Sequence, residues 1–384
     1  MKKFSNLLLM LCSLAILFIS SAMSWSAEPD IINVQKYERA IHIMAMLLVG
    51  FGFLMVFVKK YGRSAITATY LLVSVAIPLY MLIDSFGIFG ELSIVEIDRL
   101  ILAEFAAASL LICAGAPLGR LTMGQYIFLG VFFVPCYALN EWILLENGLG
   151  LITAGSFIDV GGSILIHAFG AIFGICVAVT MTTKKEMETP IEVDDTSDRF
   201  SLLGSMILWV FWPSFCSALV APENVPHTAI NVILALSGST LATYFSSRAL
   251  RKGKISAADI ANAALAGGVA IGSTCSAASF PAAFIIGILA GALSTLGFAV
   301  LQPIMERILK VTDTCGVSNL HGRPGILGGV AAIFVVDGIN KGSQFAGIGI
   351  TIVIAICSGL IVGKLLSLSG RRTEVYNDEE EFSL

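Results

Sequence analysis

Residues 157–181 read FIDVGGSILIHAFGAIFGICVAVTM, and residues 312–336 read TDTCGVSNLHGRPGILGGVAAIFVV. Each run is apolar and long enough to cross the ~30 Å hydrocarbon core of a bilayer as a helix rising ~1.5 Å per residue. Laid over one another they share three positions: Asp159 with Asp313, Gly162 with Gly316, and His167 with His321, at offsets of 0, +3 and +8. His167 lies ten residues from one end of its span and His321 nine from the start of its own, so both fall ~14–15 Å deep, near the midplane. Glycines crowd both histidines, at Gly161, Gly162, Gly170 and Gly174 and at Gly322, Gly325, Gly328 and Gly329, where small residues let helices approach closely. Pro324 interrupts the second run just after its histidine, and carbonyls freed there are tolerable only inside protein or beside a cavity.

Apolar runs of this kind recur along the chain. After the first ~26 residues, hydropathy predicts eleven spans near 40–58, 65–83, 100–116, 125–145, 157–181, 200–220, 227–247, 256–274, 279–301, 312–336 and 344–368. The longest polar interruption, Lys184 to Arg199, leaves five spans before it and six after. An odd number of spans per half forces the halves to run in opposite directions, an inverted repeat about an axis in the membrane plane. The expected architecture is an all-α polytopic membrane protein: a first five-helix repeat over 27–183, a cytoplasmic linker over 184–199, a second repeat over 200–340, an eleventh helix over 341–369 and an acidic, solvated cytoplasmic tail over 370–384. Lys2 and Lys3, the apolar stretch from Leu7 to Ile19 and the small residues from Ser20 to Ala27 predict a signal peptide over residues 1–26, with a retained first helix as the alternative.

Removal of that peptide leaves the mature amino terminus outside and the carboxy terminus in the cytoplasm. Fifteen Lys and Arg residues then fall in inner segments and only Lys36, Arg39, Arg99 and Lys341 in outer ones, as the positive-inside rule requires. The outer segments hold Glu91, Glu96, Asp98, Glu146 and Glu223, so the outer mouth is expected to gather cations. Of the 384 residues 57% are hydrophobic and 13% charged, with a net charge of -4 and a mean hydropathy of +0.88. That composition excludes a soluble enzyme, a disulfide scaffold and a nucleic-acid partner. The eight cysteines are scattered singly, with no zinc spacing, and read as small core hydrophobes. No metal site and no cofactor is expected. His42 and His227 have no repeat mate and read as structural.

The run from Asp159 to Gly174, the run from Asp313 to Gly325 and Phe211-Trp-Pro-Ser-Phe-Cys-Ser-Ala218 closely resemble the Rh branch of the ammonium transporter/Rh family, in its bacterial form. Asn140-Glu-Trp-Ile-Leu-Leu145, Asn262-Ala-Ala-Leu-Ala-Gly-Gly-Val-Ala270 and Ser294-Thr-Leu-Gly-Phe298 add to the resemblance, which runs from the third span to the tenth. It implies a homotrimer in the bacterial inner membrane with one pore per subunit, conducting ammonia past paired histidines beneath two stacked phenylalanines. Carried over residue by residue, it makes His167 and His321 the pore pair, Phe105 and Phe215 the gate, Asp159 the aspartate of the fifth span and Glu141 the acid of the outer vestibule. Phe105 rests on the short stretch from Ala103 to Ser109, where Glu104 stands in place of the family's usual Asp. Asp159 has two readings, a cap for the fifth helix through the following glycine amides or a charge that aids cation recruitment. For Glu141, a solvated charge at a helix end is the alternative.

Arg323 departs from the family, which commonly has an apolar residue there. Two residues past His321 is ~200° of helix rotation, so the guanidinium is expected to point away from the pore, toward an acid at a subunit contact or toward the inner vestibule. The mechanism these residues imply gathers ammonium at the outer mouth, removes its proton near the phenylalanines and passes neutral ammonia, or methylammonium's neutral form, along an apolar lumen that no ion enters cheaply. Two adjacent imidazoles can share a proton without either becoming charged. Carbon dioxide is the alternative permeant. An intramembrane metal or enzyme site ranks third, because two histidines without a nearby carboxylate or thiolate make a poor metal site.

Overall fold

The computed structural model describes residues 31–90, 95–189 and 191–383. The expected signal peptide, Cys12 and Glu91 lie outside the described residues. Among those described, regular structure is helical apart from an isolated bridge between Ile88 and Gly90. Eleven long helices follow one another: α1 (Ile31–Phe57), α2 (Gly62–Ser85), α3 (Glu96–Gly115), α4 (Met123–Leu145), α5 (Ser163–Met181), α6 (Asp195–Cys216), α7 (Val225–Leu250), α8 (257–274), α9 (Phe280–Leu309), α10 (318–335) and α11 (Lys341–Ser367). The chain is a multi-pass membrane protein, and eight of these helices are long and apolar enough to span a bilayer unaided. α3 carries Glu96, Asp98, Arg99 and Glu104, and α8 and α10 are broken into short segments. All three therefore depend on protein neighbours for their place in the bilayer.

The two halves repeat each other in contact as well as in sequence. α2 packs along α4 in the first half, and α7 packs along α9 in the second. Ahead of α5, the amide of Gly161 donates to the Gly272 carbonyl at the end of α8, 2.7 Å away. Ahead of α10, the amides of Thr314 and Cys315 donate to the carbonyls of Ala116 and Gly115 at the end of α3, each at 3.1 Å. Helix 5 of each half thus enters the bilayer by leaning on helix 3 of the other.

The starts of these two helices differ from the expected span limits. α5 begins at Ser163 and α10 at Ser318, six residues later than hydropathy places them. The residues before each adjoin a long apolar run but turn rather than continue as helix. Gly162 (φ +74°) and Gly316 (φ +65°), the +3 glycines of the repeat, are left-handed at the last bend, a conformation open to glycine at no steric cost. Each helix then opens with a π turn, Ser163–Ala168 and Ser318–Gly322, that contains its histidine. The second π turn ends immediately before Arg323–Val335, where Pro324 stands in the first turn and its missing N–H is not required.

The polar linker is ordered. Thr183 caps a short helix, Lys184–Glu188, and Asp194 caps α6 through the amides of Thr196 and Ser197, at 3.0 and 2.9 Å. Lys60 sits 2.6 Å from Glu192 and holds that exposed carboxyl below its ordinary value by hydrogen bonding. Arg120, one of the basic loop residues on this side, is fully buried and donates to the Leu118 carbonyl (3.1 Å) and the Thr314 hydroxyl. The tail is not a solvated appendage. Tyr376 is 3% exposed, its amide donates to the Gly119 carbonyl at 2.9 Å, and Asp378 accepts from the amides of Arg63 and Ser64 at the start of α2.

Candidate functional site

α5 and α10 cross where their π turns meet, and His167 and His321 face each other there. Nδ1 of one ring lies 3.2 Å from Nδ1 of the other, with the ring planes only 14° apart and both side chains buried. A bond between like nitrogens requires one ring to donate Nδ1–H and the other to accept. The donor ring then presents a bare Nε2 and the acceptor an Nε2–H, so the neutral pair offers one acceptor and one donor to anything beside it. His167 Nε2 has no hydrogen-bond partner among the described residues.

Two further aromatic rings extend the pair. Trp212 of α6 lies over His167, with centroids 5.6 Å apart at 25°. Phe51 of α1 lies over His321 at 6.1 Å and 26°. The result is a four-ring stack, Trp212, His167, His321 and Phe51, in which repeat-related helices supply repeat-related plates. The sequence reading missed both outer members, since an aromatic residue in an apolar span is usually core.

Phe105 of α3 and Phe215 of α6 meet with centroids 4.7 Å apart. They are tilted at 51° rather than stacked, both buried, and Phe215 is 6.1 Å from His167. They close the site on the side of the acidic loops. Glu104, next to Phe105, is 1% exposed and its Oε2 has no hydrogen-bond partner among the described residues. On the opposite side a cleft of about 20 Å³ begins at His321 and is walled by Phe51, Leu54, Leu111 and Leu320. It shares Phe57, Asn262 and Cys315 with a cavity of about 280 Å³ bounded by Asp198, Ser201, Gln302 and Thr314, among the Lys- and Arg-rich loops. A cleft of that volume admits about one water-sized molecule at a time.

Asp159 is not beside the histidines but works on the helix that carries one of them. Its Oδ2 accepts from the amides of Ile164 (3.0 Å) and Leu165 (2.7 Å), and its Oδ1 from the Ser273 hydroxyl (2.5 Å). The capped amides therefore belong to Ile164 and Leu165 rather than to the glycines, because the turn at Gly162 carries the chain past the carboxylate before the helix starts. Asp313 repeats the arrangement, accepting from Val317 and Ser318, both at 2.9 Å.

Glu141 is neither solvated nor open to a vestibule. It is fully buried between α4 and α2, and its Oε2 accepts from the Tyr80 hydroxyl at 2.5 Å. Arg323 is half-buried and has no acid partner among the described residues. Its Nη1 donates to the Ser318 hydroxyl (3.1 Å) and to Asn319 Oδ1, and its Nη2 lies 4.0 Å from Met305 Sδ. It lines neither the cleft nor the cavity. His42 bonds Ser214 and stacks on Phe211, and His227 bonds the Ala278 carbonyl. Cys357 is exposed, against the expectation of a core position, whereas Cys113, Cys176, Cys216 and Cys275 are buried.

Comparison with known proteins bears on this geometry. A model of the Ammonium Transporter Family matches residues 4–383. The ammonium transporter Rh type A of Bos taurus is 38% identical over 350 residues, covering 88% of this chain and 80% of its own length. The Rh type B protein of Takifugu rubripes is 37% identical over 368 residues, covering 87% and 78%. Among solved structures, Nitrosomonas europaea Rh50, described as bearing on conduction by the Rhesus family of channels, superposes with a TM-score of 0.89 at 54% identity, covering 91% of this chain and 92% of that one. Saccharomyces cerevisiae Mep2 superposes at 0.73 with 17% identity, covering 89% and 86%, which establishes likeness of fold alone.

Proposed function

From the premise that the chain belongs to the Ammonium Transporter Family, with Rh-type relatives, and is a channel or transporter rather than an enzyme, we propose that it conducts ammonia through the His167–His321 site. Ammonium collects at the acidic end, gives up its proton to water on the acidic side of Phe105 and Phe215, and crosses as the neutral molecule. The observation that carries this reading is the 3.2 Å contact between the two Nδ1 atoms, flanked by a closed aromatic constriction on one side and a cleft leading to a cavity on the other. A narrow, mostly apolar passage strips water from whatever enters. That penalty is severe for an ion and small for ammonia. The neutral histidine pair returns one donor and one acceptor, enough to replace the hydrogen bonds ammonia leaves behind but not the hydration shell of a cation. Asp159 and Glu141 support the passage structurally, by fixing the start of α5 and the packing of α4 on α2.

In the same reading the acidic end faces outward and the Lys- and Arg-rich end faces the cytoplasm of a bacterial cell, in line with the charge bias of the loops. The chain works as a homotrimer in the inner membrane with one path per subunit and no cofactor. The test is stopped-flow internal pH in proteoliposomes given an ammonium gradient, with a carbon dioxide jump in parallel. Wild type is expected to alkalinise the lumen faster than protein-free vesicles, and His167→Ala and His321→Ala to change that rate severalfold. Wild-type rates in both variants overturn the reading. A response to carbon dioxide alone replaces ammonia with that gas.

A further inference from the structure

The inverted repeat is electrically unequal at one position. Ten residues after Asp159 stands Phe169, and ten residues after Asp313 stands Arg323. Phe169 is fully buried in an aromatic cluster with Phe133, Tyr137 and Phe173. Arg323 hangs instead on polar atoms that lead back to its own aspartate. The Ser318 hydroxyl accepts from the guanidinium while the Ser318 amide donates to Asp313. Asn319, which also accepts from Arg323, donates to Gln302, and Gln302 donates to the Asp313 carbonyl and to Glu306.

Resting on the proposal that ammonia passes the histidine pair, we propose that Arg323 is a specificity-determining residue: its positive charge offsets the Asp313 carboxylate, so that the half of the path beyond His321 does not stabilise a cation. Glu306 and Arg307 stand on α9, Asp198 lines the cavity wall and the buried Arg120 donates to the Thr314 hydroxyl beside Asp313, so loss of Arg323 makes the net charge on this side more negative by one. Arg323 acts through its field, since it lines neither the cleft nor the cavity. Its helix position and side-chain reach put the guanidinium roughly 10 Å from the path, and unit charges at that separation in an effective dielectric of about 20 alter the local population of an ion about tenfold.

The measurement is the ratio of two signals from full-length protein in proteoliposomes. One is ammonia flux, read as internal pH; the other is the transient current on a solid-supported membrane after an ammonium pulse. Arg323→Leu is expected to raise current per unit flux about tenfold over wild type, and Arg323→Lys, which keeps the charge without the fork, to stay within about twofold. Arg323→Gln, which keeps donors for Ser318 and Asn319 but no charge, is expected to follow the leucine variant and serves if that variant does not fold. An unchanged ratio in the uncharged variants overturns the inference, as does a lysine variant that behaves like leucine. If wild type itself gives no protein-dependent flux, the ammonia reading falls and this inference with it. Flux with an unchanged ratio removes only the inference.

Discussion

Asp159 and Asp313 do at opposite ends of the molecule what a serine or asparagine does at an ordinary helix start, but with a full charge and in a buried setting. Removing the Asp159 carboxylate leaves the amides of Ile164 and Leu165 and the Ser273 hydroxyl without an acceptor. Buried donors left unpaired cost ~1–3 kcal/mol each. Asp159→Ala is therefore expected to destabilise by about 3 kcal/mol, and Asp159→Asn, whose amide oxygen still accepts, by about 1 kcal/mol. Thermal unfolding in detergent separates the two. Equal shifts would mean that the carboxylate is not acting as a cap. His167 sits three residues beyond Ile164, so the alanine variant is also expected to lose flux beyond what its stability loss explains. The pairing of Asp with His was legible in the sequence, since a polar residue in an apolar span must find a partner and two copies at one spacing mark a repeat. Which amides the carboxylate would meet was not, because that depends on the left-handed turn at Gly162 and a helix that starts six residues late.

At the scale of the element, hydropathy located all eleven helices, although α1 begins nine residues before its expected start and α9 runs eight residues past its expected end, and the inverted repeat followed from their number. Hydropathy had no means of marking the turns ahead of α5 and α10, which adjoin long apolar runs and surrender amides to α8 and α3. Phe51 and Trp212 were hidden for a different reason. Among 24 phenylalanines and four tryptophans nothing singles them out until α1 is set against α6 and each is found over a histidine. Close helix approach gives the element scale its own test. A Cβ added at Gly174 would lie 2.9 Å from Cys113 Cα on α3, whereas one at Gly349 on α11 would meet nothing within 4 Å. Gly174→Val should force α3 and α5 apart and cost ~1–3 kcal/mol or more through overpacking. Gly349→Val should shift the melting temperature little. If both variants melt alike, the α3–α5 contact is looser than the geometry requires.

At the scale of the whole molecule, the carboxy-terminal segment packs against the loops of the basic end. Tyr376 fills a space between Tyr61, Leu118, Met123 and Tyr126, and Arg372 lies over its ring, 4.4 Å from the centroid. Asp378 accepts from the amides of Arg63 (3.0 Å) and Ser64 (2.8 Å), where the positive end of the α2 dipole favours a carboxylate. Gln125 reaches the Ser369 hydroxyl and the Gly370 carbonyl, and Lys185 pairs with Glu374 on the surface. A short acidic segment carries no hydropathy or periodicity from which this docking could be read; it depends on one tyrosine and one aspartate meeting groups far away in sequence. The contacts are unequal in weight. Lys185 holds the exposed Glu374 carboxyl below its ordinary value by hydrogen bonding. That contribution is present above the usual carboxylate pKa and is lost as pH falls through the lowered one, and salt screens it at any pH. Burial of the Tyr376 ring does not depend on salt and is worth on the order of 2 kcal/mol, a factor of about thirty in the population of released tail. Trypsin cleavage after Arg371 and Arg372 reports that population. Wild type is expected to be cut slowly, with less than a severalfold change as salt is raised at neutral pH, while Tyr376→Ala is cut at least tenfold faster and Asp378→Ala falls between them. Equal cleavage of wild type and Tyr376→Ala would mean that the tail is already free in solution, and strong acceleration by salt alone would transfer its hold from the buried ring to the surface ion pair.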